Sequence, residues 1–492
     1  MKQTFIAIIF LLLLAAGCKK QETVVTGHIS GKLKDSLLFI SNPMNGTSFW
    51  GFADTLSVNA DGRFEWKTTL KKPVMANLWG IVKNQYTLLL EPGGRYHIEL
   101  DSEQGMQQIS GPNEKGGMFY ASLPNPWHIQ ESTRSFWNDP SLPSISEQIE
   151  KMKNDEWAQW KELADRKEIS PSFIRLCRAD RDCYYASLEA YTSNIHLYRI
   201  MDKPEADSIL QQKQALIDNL ERIYKQYPPE DESLTVSSFW PDYADTYLTF
   251  KLLSRLNFKA DSLRSAKEKG IYHTFRLQEG KKYLKGKALE YFEARYFFIE
   301  AFQQEFEIEF IALFEQFNKD FPQSGYTGYI KPLIDDIVQY HQIISQPFEK
   351  AVFIDHYETI HTLEEALRPL RGKKVYVDVW ATWCGPCKAE FKHNEALATI
   401  LEKEDIQKLY ISIDKDRNHQ QWLDNIKYFR LEGRHIRADS IFSHNLMKLY
   451  SKNKDEIMIA IPWYILVDEE GNIVKEHAKS PSALIKGESL YE

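Results

Sequence analysis

The sequence predicts a multidomain protein with an N-terminal antiparallel β-sandwich, a middle all-α domain and a C-terminal α/β domain. Short strands separated by Gly, Asp and Pro turns occupy the chain up to about residue 110. From 111 to 345 the apolar residues follow a helical period, and from 346 to 492 apolar strands alternate with helices. We therefore place the three domains at 18–110, 111–345 and 346–492, after a signal peptide at 1–17.

The signal peptide is predicted from Lys2 and the apolar run at residues 5–16. That run is shorter than the roughly 20 residues of a membrane-spanning helix, and it suits the apolar region of a secretory signal. The residues LLLLAAGC, which end at Cys18, resemble the lipobox of bacterial lipoproteins, although Ala15 stands where Leu is commoner. The resemblance implies that Cys18 is lipidated and anchors the chain to an envelope membrane, facing the periplasm. An ordinary secretory signal with a free Cys18 is the alternative.

Composition and charge narrow the class of protein. Hydrophobic residues make up 43% of the 492 residues and aromatic residues 13%, which suffices for several apolar cores. The net charge of −8 argues against a nucleic-acid-binding surface. Four cysteines follow residue 18, at positions 177, 183, 384 and 387, and disulfides persist in the exported compartment that the signal predicts.

The β-sandwich is predicted from alternating apolar residues between turns. Its strands are expected at residues 24–29, 36–40, 56–58, 63–68, 74–82, 86–90 and 96–100. No cluster of titratable side chains occurs in this part of the sequence, so it receives no candidate site.

The middle domain is predicted from amphipathic helices at residues 145–168, 173–201, 205–227, 243–256, 288–317 and 329–344. Cys177 and Cys183 lie in the second of these helices. On an unbroken helix six residues rise about 9 Å, beyond the roughly 7 Å limit between the Cα atoms of a disulfide. Either the helix breaks near Asp180 and the two cysteines pair, or both thiols remain free.

The C-terminal domain contains the most specific motif of the chain, VYVDVWATWCGPCK at residues 375–388. A continuous apolar strand ends at Trp380, and Cys384 and Cys387 follow with a spacing of three. Cys384 is expected in the first turn of a helix, where unpaired N–H groups favour a thiolate, and Pro386 suits that turn. One thiol then acts as the nucleophile and the other resolves the mixed disulfide. A structural disulfide or half of a zinc site is the alternative, but no second ligand pair follows and no metal is predicted.

With this motif the domain resembles the thioredoxin-fold thiol-disulfide oxidoreductases, in particular their ResA/TlpA-like branch. The resemblance implies a thioredoxin fold, a redox-active disulfide between Cys384 and Cys387, and no cofactor. Ile461-Pro462 matches the proline that this fold holds in the cis form, with a trans proline at the start of a strand as the alternative. The substrate-docking surface that the resemblance implies consists of Trp383, Gly385, Pro386, Ile461 and Pro462.

Asp378 is the leading candidate after the cysteines. It lies six residues before Cys384 in an apolar strand, where a buried carboxyl costs several kcal/mol unless it is partnered, and its pKa rises. It matches the buried Asp of thioredoxins, which implies that it takes the proton of Cys387; a buried structural hydrogen bond is the alternative. Glu390 matches an acidic residue of the ResA/TlpA-like branch, with a solvated helix face as its alternative. Lys388 is predicted to be an ordinary helix-surface group.

The other elements of this domain follow from local patterns. Thr362 and Glu365 form a capping box that begins a helix at 363–367. Further strands are expected at 409–413, 463–467 and 473–476, and further helices at 420–428 and 441–450. The last two strands are joined by a short turn and are predicted to form a hairpin.

The resemblance implies an enzyme that reduces disulfides of exported proteins, because family members reduce apocytochromes or other exported disulfides. Gly385 and Pro386 place no cationic side chain beside the thiolate, which favours a reduction potential nearer about −270 mV than about −120 mV. A reductant in an oxidising compartment needs electrons, so a membrane thiol reductase is implied as the donor. A disulfide oxidase or isomerase is the first alternative. The second alternative is a binding lipoprotein, in which the first 350 residues capture a ligand and the thioredoxin domain is secondary. Residues 18–110 resemble the β-domain often found ahead of thioredoxin domains in Gram-negative envelope lipoproteins, and this resemblance adds no site.

Overall fold

The computed structural model of the protein describes residues 22–31, 37–81, 84–139, 141–201, 203, 206–256, 265, 269–451 and 458–491. The predicted signal peptide at 1–17 and Cys18 lie outside the described residues. The chain divides into two compact units, the first extending to Ile299 and including Ala312–Pro332, the second comprising Glu300–Ile311 and Leu333–Glu492. The second unit therefore contains two stretches that the sequence analysis assigned to the helical domain.

The first unit begins with two four-stranded sheets, in the orders β4-β1-β7-β8 and β3-β2-β5-β6. Their strands are β1 (Thr23–Ser30), β2 (Leu38–Ser41), β3 (Ala53–Leu56), β4 (Arg63–Thr68), β5 (Val74–Gly80), β6 (Tyr86–Leu90), β7 (Arg95–Asp101) and β8 (Gly105–Ser110). Apolar side chains of both sheets, among them Val25, Leu78 and Ile98, form one buried cluster. The alternation of apolar residues that predicted most of these strands therefore marks the faces that meet in this core.

The prediction that all these strands pair antiparallel is wrong for one pair. β1 and β7 run parallel, with Val25 opposite Tyr96 and Ile29 opposite Leu100. The whole second sheet lies between these two strands in the sequence, which supplies the long connection that a parallel pair requires. β8 was not predicted because its sequence GMQQIS is largely polar and lacks an apolar alternation.

The helices of the middle region follow the β-strands. They are α1 (Glu114–Ser122), α2 (Ile129–Thr133), α3 (Leu142–Asp165), α4 (Pro171–Met201), α5 (Asp207–Gln226), α6 (Trp240–Arg255), α7 (Tyr272–Tyr283), α8 (Gly286–Phe302), α9 (Glu309–Asp320) and α10 (Thr327–Ile344). The helix predicted at 288–317 is therefore wrong, because the chain forms two helices there. Gln304 and Phe306 adopt left-handed backbone angles, with φ of 57° and 56°, and no Gly or Pro signals this break in the sequence.

α4 settles the question left open for the first pair of cysteines. The helix runs without a break from Pro171 to Met201, and Cys177 and Cys183 are both buried free thiols. The charged residues near the expected break are accommodated inside the fold, since Arg181 forms a buried salt bridge with Glu156. The charged residues in the middle of this helix therefore indicated a buried ion pair and not a break in the helix.

The second unit contains a six-stranded sheet in the order β14-β13-β10-β11-β12-β9. Its strands are β9 (Ala351–Phe353), β10 (Lys374–Trp380), β11 (Ile406–Ser412), β12 (Gly433–Arg437), β13 (Trp463–Val467) and β14 (Ile473–Lys475). Its helices are α11 (Leu363–Leu367), α12 (Gly385–Phe391), α13 (Asn394–Lys403), α14 (His419–Tyr428), α15 (Ser440–Tyr450) and α16 (Pro481–Ile485). β10 pairs parallel with β11 and antiparallel with β13, so the predicted thioredoxin fold is confirmed for this domain.

The two faces of β10 serve different layers of the domain. Val375, Val377 and Val379 belong to one apolar cluster, while Tyr376 and Trp380 belong to clusters on the opposite face. β10 is therefore covered on both sides, as its continuous apolar sequence predicted. The predicted capping box at the start of α11 is confirmed. β9 and β12 were missed because the first has three residues and the second carries two arginines and a histidine.

No helix among the described residues is both long enough and apolar enough to cross a membrane.

Candidate active site

The two cysteines of the motif lie at the start of α12, directly after the loop that leaves β10. Cys384 and Cys387 are joined in a disulfide with a Cα–Cα distance of 5.3 Å. Cys384 occupies the N-cap of α12, and its Sγ accepts a hydrogen bond of 3.1 Å from the backbone N–H of Cys387. Cys384 is 4% exposed and Cys387 is fully buried. The sulfur of Cys384 is therefore the one nearer to solvent and to the helix N–H groups that stabilise a thiolate.

Exposed groups surround the disulfide. Trp383 is 56% exposed, and Gly385 and Pro386 are also exposed. A side chain added at Gly385 would meet no atom within 4 Å, so the space beside the disulfide is open. The Ile461–Pro462 peptide bond is cis, and Ile461 packs against the apolar cluster that contains both cysteines. Four of the residues predicted to dock a substrate thus lie beside the two cysteines: Trp383, Gly385, Pro386 and Ile461.

The loop before Cys384 is fixed by Asp414, which the sequence analysis did not identify. The buried Asp414 carboxylate accepts hydrogen bonds of 2.8 Å from both the N–H and the hydroxyl of Thr382. The Ser412 hydroxyl donates a third bond of 2.8 Å. Because β10 and β11 are parallel, their carboxyl ends meet at one edge of the sheet, so an acidic residue two positions after β11 was a usable signal.

Asp378 is buried on the face of β10 that carries Tyr376. It lies opposite Tyr410 of β11 and Tyr464 of β13 and is 1% exposed. Neither carboxylate oxygen has a hydrogen-bond partner among the described residues. Burial raises the pKa of Asp378 to about 7, the charge of Lys408 opposes the rise and the charge of Glu390 adds to it. The group is therefore poised to exchange a proton near neutral pH.

Lys408, which lies near Asp378, is a functional candidate that the sequence analysis missed. It lies on β11 two residues before Tyr410, and its Nζ donates a 2.9 Å hydrogen bond to Oδ1 of Asn394. The ammonium also lies 4.8 Å from the centre of the Tyr410 ring. Burial lowers the pKa of Lys408 to about 8, and the negative charge of Asp378 opposes that fall. Lys408 is two residues before Tyr410, so both side chains lie on the same face of β11. This spacing places Lys408 near Asp378 only once the register of β10 and β11 is known.

Glu390 is fastened to the last helix of the domain. Its Oε2 accepts a 2.9 Å hydrogen bond from the N–H of Ser482, and its Oε1 accepts one of 2.8 Å from the Ser482 hydroxyl. Both carboxylate oxygens are therefore engaged in joining α12 to α16. Its negative charge still acts on Asp378, whose pKa it helps to raise.

Lys388 does not lie on the helix surface, so that prediction is wrong. The side chain is 4% exposed, and Nζ donates hydrogen bonds of 3.1 Å to the carbonyl oxygens of Gln303 and Gln304. Burial lowers the pKa of Lys388. The covering residues come from more than 80 positions earlier in the chain, so no local pattern around residue 388 could indicate them.

A groove of about 1450 Å³ extends along α12 and α13. Trp383, Gly385 and Pro386 line it at the disulfide, and Asn394 and Lys408 line it further along. Its other wall includes residues 301–306 and side chains of α10 from Leu333 onward. The exposed side of the redox motif and the groups next to Asp378 therefore open into the same groove.

Among the described residues, no group of three or more His, Cys, Asp or Glu side chains is placed to hold a metal ion.

A sheet of this order, with a dithiol motif at the start of the helix that follows its central strand, defines a thioredoxin-fold redox domain. The Redoxin family model matches residues 363–486. The thiol-disulfide oxidoreductase ResA of Bacillus thuringiensis subsp. konkukian is 25% identical over 126 residues, which cover 26% of this chain and 62% of that protein. ResA of Geobacillus thermodenitrificans is 32% identical over 54 residues, 11% of this chain and 31% of that protein.

A solved structure is also similar to this part of the chain. The thioredoxin domain of a thiol-disulfide oxidoreductase from Bacteroides vulgatus is 21% identical, with 24% of this chain and 82% of that chain covered and a TM-score of 0.21. The match spans less than two thirds of the length of the curated relatives named above. The C-terminal domain is therefore a Redoxin domain that is similar to thiol-disulfide oxidoreductases of the ResA type, as its motif predicted.

Proposed function

We propose that this protein is a lipid-anchored thiol-disulfide oxidoreductase of the cell envelope that faces the periplasm and reduces disulfides of exported proteins. The observation that carries the proposal is the asymmetry of the cysteine pair. Cys384 lies at the N-cap of α12 beside exposed groups, while Cys387 is fully buried on the inner side of the motif. A nucleophile that lies beside exposed groups and a resolving thiol that is fully buried suit a two-step exchange.

In the reduced protein, the Cys384 thiolate attacks one sulfur of a substrate disulfide. A bond forms between Cys384 Sγ and that sulfur, the substrate S–S bond breaks, and the second substrate sulfur leaves and takes up a proton from water. The Cys387 thiol then loses its proton to Asp378 and attacks Cys384 Sγ. The bond between Cys384 Sγ and the first substrate sulfur breaks, and that sulfur leaves as a thiolate and is protonated. A disulfide now joins Cys384 and Cys387, and the substrate has gained two electrons and two protons.

The surrounding groups have distinct parts in this exchange. Asp378 is the general base, since its raised pKa of about 7 suits proton transfer at neutral pH. Burial is the main cause of that raised pKa, which the charge of Lys408 lowers and the charge of Glu390 raises further. Glu390 is the alternative base. The substrate docks on the exposed surface around the disulfide, which consists of Trp383, Gly385, Pro386, Ile461 and Pro462.

The exchange runs in the reducing direction. No cationic side chain stands between Cys384 and Cys387, which favours a potential near that of thioredoxin, about −270 mV. The disulfide form present in the structure must then be reduced again by a membrane thiol reductase. Apocytochromes and other exported disulfide proteins are the substrate classes that the family resemblance of the motif implies, with a role like that in cytochrome c maturation.

A trapping experiment tests the exchange. In the Cys387→Ser variant of the full chain the mixed disulfide cannot be resolved, so exported proteins should accumulate in a disulfide bond with Cys384 and be released by dithiothreitol. The Cys384→Ser variant is the matched control and should trap nothing. If Cys387→Ser traps nothing either, while the wild-type chain reduces insulin no faster than the Cys384→Ser variant, the protein is a binding lipoprotein and the proposal fails.

The direction and the anchor need separate measurements. Equilibration of the wild-type pair in thiol buffers should give a potential near about −270 mV, whereas a value near about −120 mV would indicate an oxidase. The Cys18→Ala variant should leave the membrane fraction, because a lipid on that residue is the proposed anchor. A Cys18→Ala variant that stays with the membrane would show that something other than acylation holds the chain.

A further inference from the structure

We propose that residues 301–306, within the segment Glu300–Ile311, form a substrate-selecting wall of the groove beside the disulfide, and that Lys388 holds this wall in position. The groove would bind an extended polypeptide that flanks the cysteine of the substrate. This inference rests on the proposed function, which supplies the exchange at Cys384, and adds to it the part of the chain that chooses the substrate.

The size and position of the groove favour a polypeptide as its occupant. Its volume of about 1450 Å³ exceeds the roughly 300–1000 Å³ of sites for small molecules. The groove is continuous with the redox motif, since Trp383 and Pro386 line its end at the disulfide. A polypeptide whose cysteine is attacked by Cys384 therefore continues along this groove.

The lining of the groove suits an unfolded polypeptide better than a small charged thiol. Phe302 and Trp383 line it and are each 56% exposed, which provides aromatic surface for apolar side chains. Charged side chains of both signs also reach it, among them Asp336, Glu395 and Arg430. Aromatic surface without one dominant charge favours apolar contacts over recognition of a single ionic group.

Lys388 fastens the wall to the redox helix. Its buried ammonium donates to the carbonyls of Gln303 and Gln304, which directly follow the end of α8. Carbonyls at the end of a helix are short of donors and carry the negative end of the helix dipole, so they bind a cation. A lysine buried to this extent requires such partners, because an uncompensated charge is costly inside a protein. The position of the wall is therefore coupled to the residue that directly follows Cys387.

Phe306 provides a second anchor for the wall. Its ring stacks on that of Tyr340 with 4.4 Å between the ring centres, and its carbonyl accepts a 2.8 Å hydrogen bond from Nε2 of His341. Gln304 and Phe306 both have left-handed backbone angles, which non-glycine residues adopt infrequently. The contacts at Lys388 and Tyr340 thus fix an irregular segment in one conformation at the rim of the active site.

The test compares a polypeptide with a small disulfide as substrates of the full chain. Lys388→Met keeps the length and the apolar stem of the side chain but removes the bonds to the two carbonyls. The ratio of kcat/KM for insulin to kcat/KM for a small aromatic disulfide should fall about tenfold, mainly through KM for insulin. Lys403→Met makes the same change at an exposed position of α13 that does not line the groove, and it should leave the ratio at the wild-type value.

A second variant keeps the test decisive if Lys388→Met folds poorly. Gln421→Leu removes the hydrogen bond from the Gln421 amide to the Glu305 carboxylate and should lower the same ratio in the same direction. A role in folding alone would reduce both substrates equally, so an unchanged ratio in a folded variant overturns the inference. Oxidised glutathione is then tested as a competitor of insulin. If it competes in the wild type but no longer competes in either variant, the groove binds a small thiol and the proposal of a polypeptide occupant is overturned. If the wild-type chain reduces neither substrate, it is the proposed function that fails.

Discussion

The protein contains two pairs of cysteines in helices, and only one of these two pairs forms a disulfide. Cys177 and Cys183 lie six residues apart in the middle of an unbroken helix, where both thiols are free and buried. Cys384 and Cys387 lie three residues apart at the start of a helix, where they form a disulfide next to an open groove. Composition alone does not distinguish the pairs, but their positions within a helix do.

The difference arises from backbone geometry and from solvation. A separation of six residues inside a helix places the Cα atoms too far apart for a disulfide, whereas a separation of three across the first turn brings them to 5.3 Å. Burial raises the pKa of Cys177 and Cys183 well above the usual range of a thiol, so they remain protonated. Only the pair at the helix start combines a thiolate-stabilising N–H with access to a substrate.

The largest expected effect comes from the same substitution in each pair. Cys384→Ser should abolish insulin reduction to the level without enzyme, because the attacking thiolate is gone. Cys177→Ser should retain most of the activity, because that thiol is buried and protonated. Turbidity of reduced insulin measures both variants. Loss of activity in a folded Cys177→Ser variant would break the comparison, since it would make the helical pair a second redox centre.

The next effect concerns Asp378, the buried carboxyl that we propose as the general base for the second pair. Asp378→Asn should slow resolution of the mixed disulfide about 10- to 100-fold at pH 7, because the general base is lost. The first attack by Cys384 should change little, so mixed disulfide should accumulate in rapid-quench samples. Resolution at the wild-type rate would leave Asp378 a structural residue and make Glu390 or water the base.

Asp378 also makes stability depend on pH. Its pKa of about 7 in the folded protein lies above the value near 4 in an unfolded chain, so the folded state holds the proton longer. The free energy of unfolding of the wild type should therefore fall as pH rises from about 4 to about 7. Asp378→Asn should lose this slope, which urea unfolding at several pH values would measure.

A smaller effect is expected at Lys408. Its positive charge opposes the rise in the pKa of Asp378, so Lys408→Met should raise that pKa further. The limb of the pH–rate profile that reports ionisation of Asp378 should move to higher pH, and the rate of resolution at pH 7 should fall. Single-turnover rates between pH 5 and pH 9 check this direction. If this limb stays at the same pH in Lys408→Met, Lys408 does not influence the ionisation of Asp378.

The smallest effect is expected for stability in the helical pair. Cys177→Ala removes one buried sulfur from an apolar cluster and should lower the free energy of unfolding by about 1 kcal/mol. Insulin reduction should stay at the wild-type rate. The measurement is urea unfolding followed by circular dichroism, and a much larger loss would indicate that this thiol has a role beyond packing.

The sequence predicted what depends on residues close together in the chain. The strand β10, the start of α12 and the capping box at Thr362 all follow from patterns within a few residues. Asp414 and Lys408 were missed because their importance depends on the register between β10 and β11, which brings them to Thr382 and Asp378. The burial of Lys388 depends on carbonyls some 85 positions away, and local propensity contains no information about them.

The sequence analysis also missed the parallel pairing of β1 with β7 and the break after α8, because both depend on contacts between distant residues. An apolar alternation identifies a strand without fixing the direction of its partner, and both directions bury the same face. The break between α8 and α9 contains neither Gly nor Pro, and the left-handed angles of Gln304 and Phe306 are held by contacts with distant residues. Tertiary contacts overruled local propensity at both places.

The second unit is built from two separate stretches of chain, Glu300–Ile311 and Leu333–Glu492, and this limits how the protein can be truncated. A truncation at residue 346 retains every residue matched by the Redoxin family model, yet it discards Glu300–Ile311 and the part of α10 that holds Tyr340. Lys388 would then lose both carbonyl partners and meet water. The isolated C-terminal domain should therefore be a less discriminating reductase than its parent, and transplanting the selectivity to another redox domain would require grafting two separate pieces of chain.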